Sequence, residues 1–158
     1  MPKNSNQEDF RKALRCMPAS VSIVNASDGI NKTGMTISSA VSVSFSPLSF
    51  LVCINKVSLF YDMIINQNKF CINLLKKNQI EISDKFSRPA SEKNIFDNGN
   101  WLTHDGLPYI EGAQVNLFLD IRDITHFGTH GIFIGEVGHV IYEEEISPLI
   151  YLNGSYLN

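Results

Sequence analysis

The stretch Gly34-Met35-Thr36-Ile37-Ser38-Ser39-Ala40-Val41-Ser42-Val43-Ser44-Phe45-Ser46-Pro47 decides the fold class. Val41, Val43 and Phe45 alternate with Ser42, Ser44 and Ser46, which is the two-residue period of a β-strand with one apolar face. The other face carries hydroxyls where a solvated strand more commonly carries Lys, Glu or Arg. Small hydroxyls let a ligand approach the backbone closely and supply both donors and acceptors. The competing reading is a serine-rich strand that simply faces water.

Working outward from this strand, Val21 to Val24 reads as a strand ended by the turn signal Asp28-Gly29. Before it, Ser5 and Glu8 form a capping box for a short helix with Phe10, Ala13, Leu14 and Met17 on one face, limited by Pro18. That apolar face must cover something. On the other side, Phe50 to Ile54 follows too closely for a crossover helix, so it pairs antiparallel with a neighbour. Ser58 caps a helix through about Asn68, with Leu59, Phe60, Met63 and Ile64 as its apolar face. Phe70 to Leu75 is the next strand, and Asn78 with Glu81 forms a capping box for a helix that places Ile82 and Phe86 together. Ser87 to Ile110, which contains Trp101, is predicted irregular; a connection this long covers a site or wraps a partner. Val115, Leu117, Leu119 and Ile121 alternate with polar and aromatic neighbours, Gly131 to Tyr142 is a long strand run, and Leu149 to Leu152 a last short one. About seven short strands and three short helices, with no strand-helix rhythm, predict a mainly β protein: a closed or nearly closed antiparallel barrel with helical decoration.

The composition narrows the function classes. At 158 residues the chain is one domain, 1–158 with a core of about 10–156, large enough to fold without disulfides or metal. The 13 basic and 16 acidic residues leave a net charge of −3, and no basic run tracks a nucleic-acid backbone, so no nucleic-acid partner is expected. No apolar stretch spans a membrane and the N-terminus lacks the shape of a signal peptide, so a soluble cytoplasmic protein is expected. Cys16, Cys53 and Cys71 are odd in number, widely spaced and set among apolar neighbours, as small hydrophobes. The sequon Asn153-Gly154-Ser155 reads as idle. Charged residues make up only 18% and aromatics 10%, which points to a surface partly covered by a second subunit.

Among the constellations that carry chemistry, a phosphate-bearing ligand fits best. Ser38, Ser39 and Ser42 supply hydroxyls, Lys56 a positive point charge, and Ser58 marks a helix start. Each residue alone is as well explained as a loop lysine or a plain cap; the set together is not. There is no Rossmann fingerprint, P-loop or nucleophile elbow. His104, His126, His130 and His139 show no metal-ligand spacing, so no metal is expected. His130 precedes a strand, an end position from which a side chain faces a ligand, whereas His104 and His139 read as surface or loop residues. The run Glu143-Glu144-Glu145 reads as a solvated turn.

These stretches resemble the flavin reductase-like family, whose members adopt an FMN-binding split barrel. The matching pieces are FRKALRCMPASVSIV (Phe10 to Val24), GMTISSAVSVSFSP, LVCINKVS (Leu51 to Ser58), FCINLL (Phe70 to Leu75), GLPYIEGA (Gly106 to Ala113), GTHGIFIGEV (Gly128 to Val137) and PLIYLNGSY (Pro148 to Tyr156). The resemblance implies a six-stranded antiparallel Greek-key barrel with short flanking helices, assembled as a homodimer. It also implies hydride transfer from NADH or NADPH to FMN or FAD, with reduced flavin passed to a partner monooxygenase or another acceptor. The implied cofactor contacts fall on Thr36, Ile37, Ser38, Ser39, Ser42, Lys56 and Ser58, and on Asn73 of the F-x-V-N-x-L strand. His130, the histidine of the family's G-D-H motif, is the expected catalytic residue at the nicotinamide, with Gly154 and Tyr156 near the nicotinamide nucleotide. The chain departs from the pattern at Met17, Ser20 and Leu48, at Thr129, which replaces the aspartate of G-D-H and removes an acceptor for His130, and at Ser155, often basic. The departures at Thr129 and Ser155 keep open a flavin-binding electron-transfer or storage module not reduced by nicotinamide; a second alternative is a split-barrel oxidase acting on a phosphorylated small molecule, or a ligand-free structural relative.

Overall fold

A computed structural model describes residues 4–88, 95–97 and 100–157. The chain runs α1 (Asn4–Arg15), β1 (Ala19–Ser20), β2 (Ser22–Ser27), β3 (Lys32–Ile37), β4 (Ala40–Phe45), β5 (Leu48–Asn55), α2 (Leu59–Ile64) and β6 (Lys69–Leu74). A 3-10 turn (Lys77–Gln79) leads into α3 (Ile80–Phe86), β7 (Trp101–His104), β8 (Leu107–Ile110), β9 (Val115–Phe127), β10 (His130–Tyr142), β11 (Ile150–Leu152) and β12 (Ser155–Leu157).

Seven strands form one antiparallel sheet in the order β3-β2-β6-β9-β10-β5-β4. Its two outer strands, β3 and β4, are consecutive in the chain and separated only by Ser38 and Ser39. One continuous hydroxyl-rich stretch therefore supplies both edges, and the sheet curls round until they meet. At that bend Cys53 N donates to Ser39 O at 3.3 Å, extending the β4–β5 pairing up to the turn. The expected six strands become seven because the run from Gly34 to Pro47 bends at Ser38-Ser39 and counts as two.

Alternate residues along each strand point inward. Val24, Ala26, Val52, Ile54, Phe70, Ile72, Leu119 and Phe133 form the interior, and α2 inserts Phe60 and Ile64 into one end of it. Phe60 is 1% exposed and Ile64 0%, so each contributes about 1.5–3 kcal/mol of apolar burial. The middle is filled to the limit: a Cβ at Gly135 would stand 2.7 Å from Leu119 Cβ and 2.8 Å from Phe70 Cε1. A second cluster lies outside the barrel, where α3 and the β7–β8 hairpin cover Val21, Ile23, Leu75 and Leu149. Trp101 anchors it through ring contacts with Phe86 and Phe96, at centroid distances of 5.4 Å and 4.8 Å.

Several expectations are corrected. Val41, Val43 and Phe45 are 53%, 47% and 90% exposed, because β4 is an edge strand whose apolar face meets no core within one chain. The apolar residues of α1 also cover nothing here: Phe10, Leu14 and Met17 are 65%, 48% and 64% exposed. The Ser5–Glu8 capping box lies outside the described side chains. Helix α2 ends at Ile64 rather than near Asn68. The Asn78–Glu81 box does not form; Gln79 Oε1 instead accepts from Lys76 N at 2.8 Å, capping the 3-10 turn ahead of α3. The segment expected to be irregular holds the β7–β8 hairpin, with residues 89–94 and 98–99 outside the described part. Asn153 and Gly154, at φ +53° and +81°, make the tight turn between β11 and β12, so the supposed sequon is an Asn-Gly hairpin signal.

Candidate functional site

The seam between β3 and α3 is held by hydroxyls. Thr36 Oγ1 donates to the Ser83 carbonyl at 2.7 Å, and Ser87 Oγ donates to the same carbonyl at 2.7 Å. Tyr156 OH donates to Asp84 Oδ1 at 3.1 Å and lies 2.8 Å from Ser83 Oγ. With its own proton on Asp84, the tyrosine oxygen accepts from Ser83. Burial pushes the Tyr156 phenol above its ordinary range, so it carries its proton at neutral pH.

Two cavities flank Thr36. One, of about 190 Å³, is lined by Thr36, Ile37, Ser38, Ser83, Ser87 and Tyr156 together with Val21 and Tyr151. The other, of about 350 Å³, lies between Thr33–Thr36, the α2 entry at Val57–Phe60, and Phe86–Arg88. Among the described residues lining the two cavities, Arg88 is the only charged one. Because β3 is an edge of the sheet, alternate backbone N–H and C=O groups along it have no strand partner on the side facing α3.

The predicted residues divide into those the fold gathers here and those it uses elsewhere. Thr36, Ile37, Ser38, Ser58 and Tyr156 line the two cavities. Ser58 also caps α2: its hydroxyl accepts from Tyr61 N at 3.1 Å and donates to Asn55 O at 2.8 Å. Ser39 lies at the bend with its hydroxyl donated to the Cys53 carbonyl at 2.9 Å. Ser42 is exposed on β4, opposite Phe50. Lys56 lines neither cavity; its Nζ donates to the Gly128 carbonyl at 2.9 Å. Asn73 is fully buried, donating to Ile23 O and Asn25 Oδ1 and accepting from Ile110 N and Asn116 Nδ2. It knits β2, β6, β8 and β9 together and has no polar atom left for a ligand. Gly154 forms the β11–β12 turn, which brings Tyr156 to α3.

His130 is half-buried at the start of β10, paired with Asn55 of β5 and Phe127 of β9. Its Nδ1 lies 2.8 Å from Thr129 Oγ1. Threonine therefore supplies the neighbouring hydrogen-bond partner that the absent aspartate was expected to remove. His126 lies on the opposite face of the same hairpin, its Nε2 2.7 Å from Tyr61 OH of α2. His104 and His139 are not plain loop residues but a stacked pair, with ring centroids 4.4 Å apart. Among the described residues no group of three His, Cys, Asp or Glu side chains has metal-site geometry.

Sequence reasoning missed Ser83, Asp84, Ser87 and Arg88. The available signal was Phe86-Ser87-Arg88 directly after an amphipathic helix; assigning everything beyond Ser87 to an irregular segment hid it.

A barrel seam lined by hydroxyls, an exposed strand edge and one guanidinium defines a small-ligand site on a split antiparallel barrel. The model of the flavin reductase-like domain matches residues 14–158. The reductase component of an FADH2-dependent resorcinol hydroxylase from Rhizobium sp. is 34% identical over 152 residues, spanning 94% of this chain and 85% of that protein. The FMN reductase (NADH) RutF of Pseudomonas syringae is 28% identical over 152 residues, covering 96% and 85%. The NADH:FAD oxidoreductase SgcE6 of Streptomyces globisporus superposes with a TM-score of 0.91 at 25% identity, over 100% of this chain and 95% of that one. The chain belongs to the flavin reductase-like domain family.

Proposed function

We propose that this chain, as one domain over 1–158, reduces FMN or FAD with NADH or NADPH and supplies reduced flavin to a partner monooxygenase. Bound flavin would accept two electrons and a proton from the dihydronicotinamide. The observation that carries the reading is the pair of cavities meeting at Thr36, with Arg88 as the one charged residue among the described ones that line them. This donor set suits a ligand with a polar planar ring and a phosphate. The unpaired backbone groups of β3 and the Ser38 hydroxyl would hold the ring edge, where N–H donors favour negative charge. Arg88 offers a fork of N–H donors to the phosphate, with Thr33 and Ser58 lining the same cavity. Tyr156, held by Asp84, would close the far side, and His130, which lines neither cavity, would meet the nicotinamide from the β9–β10 turn. NADH in the names of the Pseudomonas and Streptomyces relatives favours that reductant, and the Rhizobium relative's role as a hydroxylase component favours an oxygenase as acceptor.

A second copy of the chain completes the molecule in this reading. Phe45 at 90% and Leu48 at 52% exposure, beside Val41 and Val43, form an apolar edge next to the seam, and such a patch on a small protein marks an interface.

The deciding experiment is the visible spectrum of the purified protein after FMN is added, and then after each nicotinamide under anaerobic conditions. Bleaching near 450 nm over many turnovers is expected. Binding without bleaching would leave a flavin-carrying module, and no spectral change on adding FMN would remove the flavin reading.

A further inference from the structure

The inward rows of the barrel do not end where the core ends. Continuing β2 inward from Val24 gives Ser22, β5 from Val52 gives Phe50, and β6 from Ile72 gives Leu74. With Ala40 of β4, Val115 and Leu117 of β9 and Ser20 at the rim, these residues line a cavity of about 230 Å³ that opens to solvent at one end of the barrel. A barrel of this size ordinarily fills its interior with side chains, and this one does so at Gly135 and at the α2 end. At the far end, small residues stand where large ones would close the gap. Ser22 is 2% exposed and lines the cavity, and its hydroxyl makes no hydrogen bond among the described residues.

We propose that this end of the barrel is a binding site, separate from the Thr36 cavities, for a small apolar molecule of about one aromatic ring bearing one hydrogen-bonding group. The wall is mostly aliphatic and aromatic, and the room suits one ring; the hollow opens to solvent beside the exposed Ser20, so a ligand enters by displacing water from an apolar surface. The Ser22 hydroxyl selects the substituent: it rewards a ligand that can pair with it and leaves a pure hydrocarbon without that gain. The walls come from five strands already fixed by the core, so the site is preformed. The proposal does not depend on the flavin reading, because none of the cavity's residues lines either Thr36 cavity.

The test is titration of the full-length chain with p-cresol and, separately, with toluene, followed by ligand-observed NMR. Saturable binding of p-cresol below millimolar concentration is expected, with toluene weaker. Ala40→Leu fills the cavity and should weaken both ligands at least tenfold. Ser22→Ala should bring p-cresol down to the level of toluene while leaving toluene unchanged, a discrimination that survives even if Ala40→Leu fails to fold. Saturating FMN should leave both affinities as they were. Absence of saturable binding, equal binding to the filled variant, or indifference of p-cresol to Ser22→Ala overturns the proposal. So does displacement by FMN, which would merge this cavity with the flavin site, or an affinity that falls as protein concentration rises, which would make a second copy the occupant.

Discussion

Tyr156 OH lies 2.8 Å from Ser83 Oγ and donates to Asp84 Oδ1, so the last strand of the chain is tied to α3 across the smaller Thr36 cavity. Two residues separated by more than seventy positions in sequence thereby form one wall. Removing the hydroxyl in Tyr156→Phe keeps the ring and releases the tie. The expected result is an NADH KM raised several-fold, about one hydrogen bond's worth, with FMN affinity and the melting temperature little changed. Steady-state kinetics at saturating flavin read this directly; a loss confined to FMN affinity would put Tyr156 on the flavin instead.

Arg88 and Lys56 make opposite predictions about the phosphate. Lys56 is occupied by the Gly128 carbonyl, whereas Arg88 lines the cavity itself. Arg88→Ala is expected to weaken FMN binding by roughly 10- to 100-fold, the range of one or two charge-assisted hydrogen bonds. Lys56→Ala is expected to cost no more than a few-fold. Fluorescence titration of FMN against riboflavin checks the assignment, since only FMN should notice the loss of Arg88.

His130 stands at the mouth of the β9–β10 turn, its ring tied to Thr129. His130→Ala is expected to lower turnover more than it lowers FMN affinity, and Thr129→Val should show a milder form of the same effect. Stopped-flow bleaching by NADH measures it, and an unchanged rate in His130→Ala would take the histidine out of the reaction.

Asn73 is predicted to matter for folding rather than for binding. Replacing it with Ala removes the donor to Asn25 Oδ1 and the acceptor of the buried Ile110 amide, and leaves Asn116 Nδ2 with only the Ile110 carbonyl. Each buried group left unpaired costs about 1–3 kcal/mol, so Asn73→Ala should lower the unfolding free energy by several kcal/mol. Activity per folded molecule should persist. Chemical denaturation gives the first quantity and flavin-saturated kinetics the second.

The strands expected at 21–24 and 70–75 were legible as continuous apolar runs, buried on both faces, and the one at 115–121 by an alternation that its burial partly follows. The β7–β8 hairpin was not: Leu107 and Tyr109 pack on Cys71 and Phe118 of the barrel's outer face and Trp101 on Phe86, so its pattern answers to partners that local sequence does not contain. The same limit hid half of the site. Thr36 and Ser38 stood out as hydroxyls on a strand, while Ser83 read as an ordinary helix residue and Ser87 as the start of an irregular segment until α3 was laid against β3.

From its residues alone, the chain determined an antiparallel β architecture and the stretch that carries its site, since side-chain alternation and turn chemistry act over a few positions. Tertiary structure decided what those residues do. It spent Asn73 on the fold, brought Arg88 and Tyr156 to the two cavities beside Thr36, and turned the apolar face of β4 outward. Each of those outcomes depends on which distant strand or helix happens to lie within about 3 Å, a distance over which hydrogen bonds form and which no local pattern encodes.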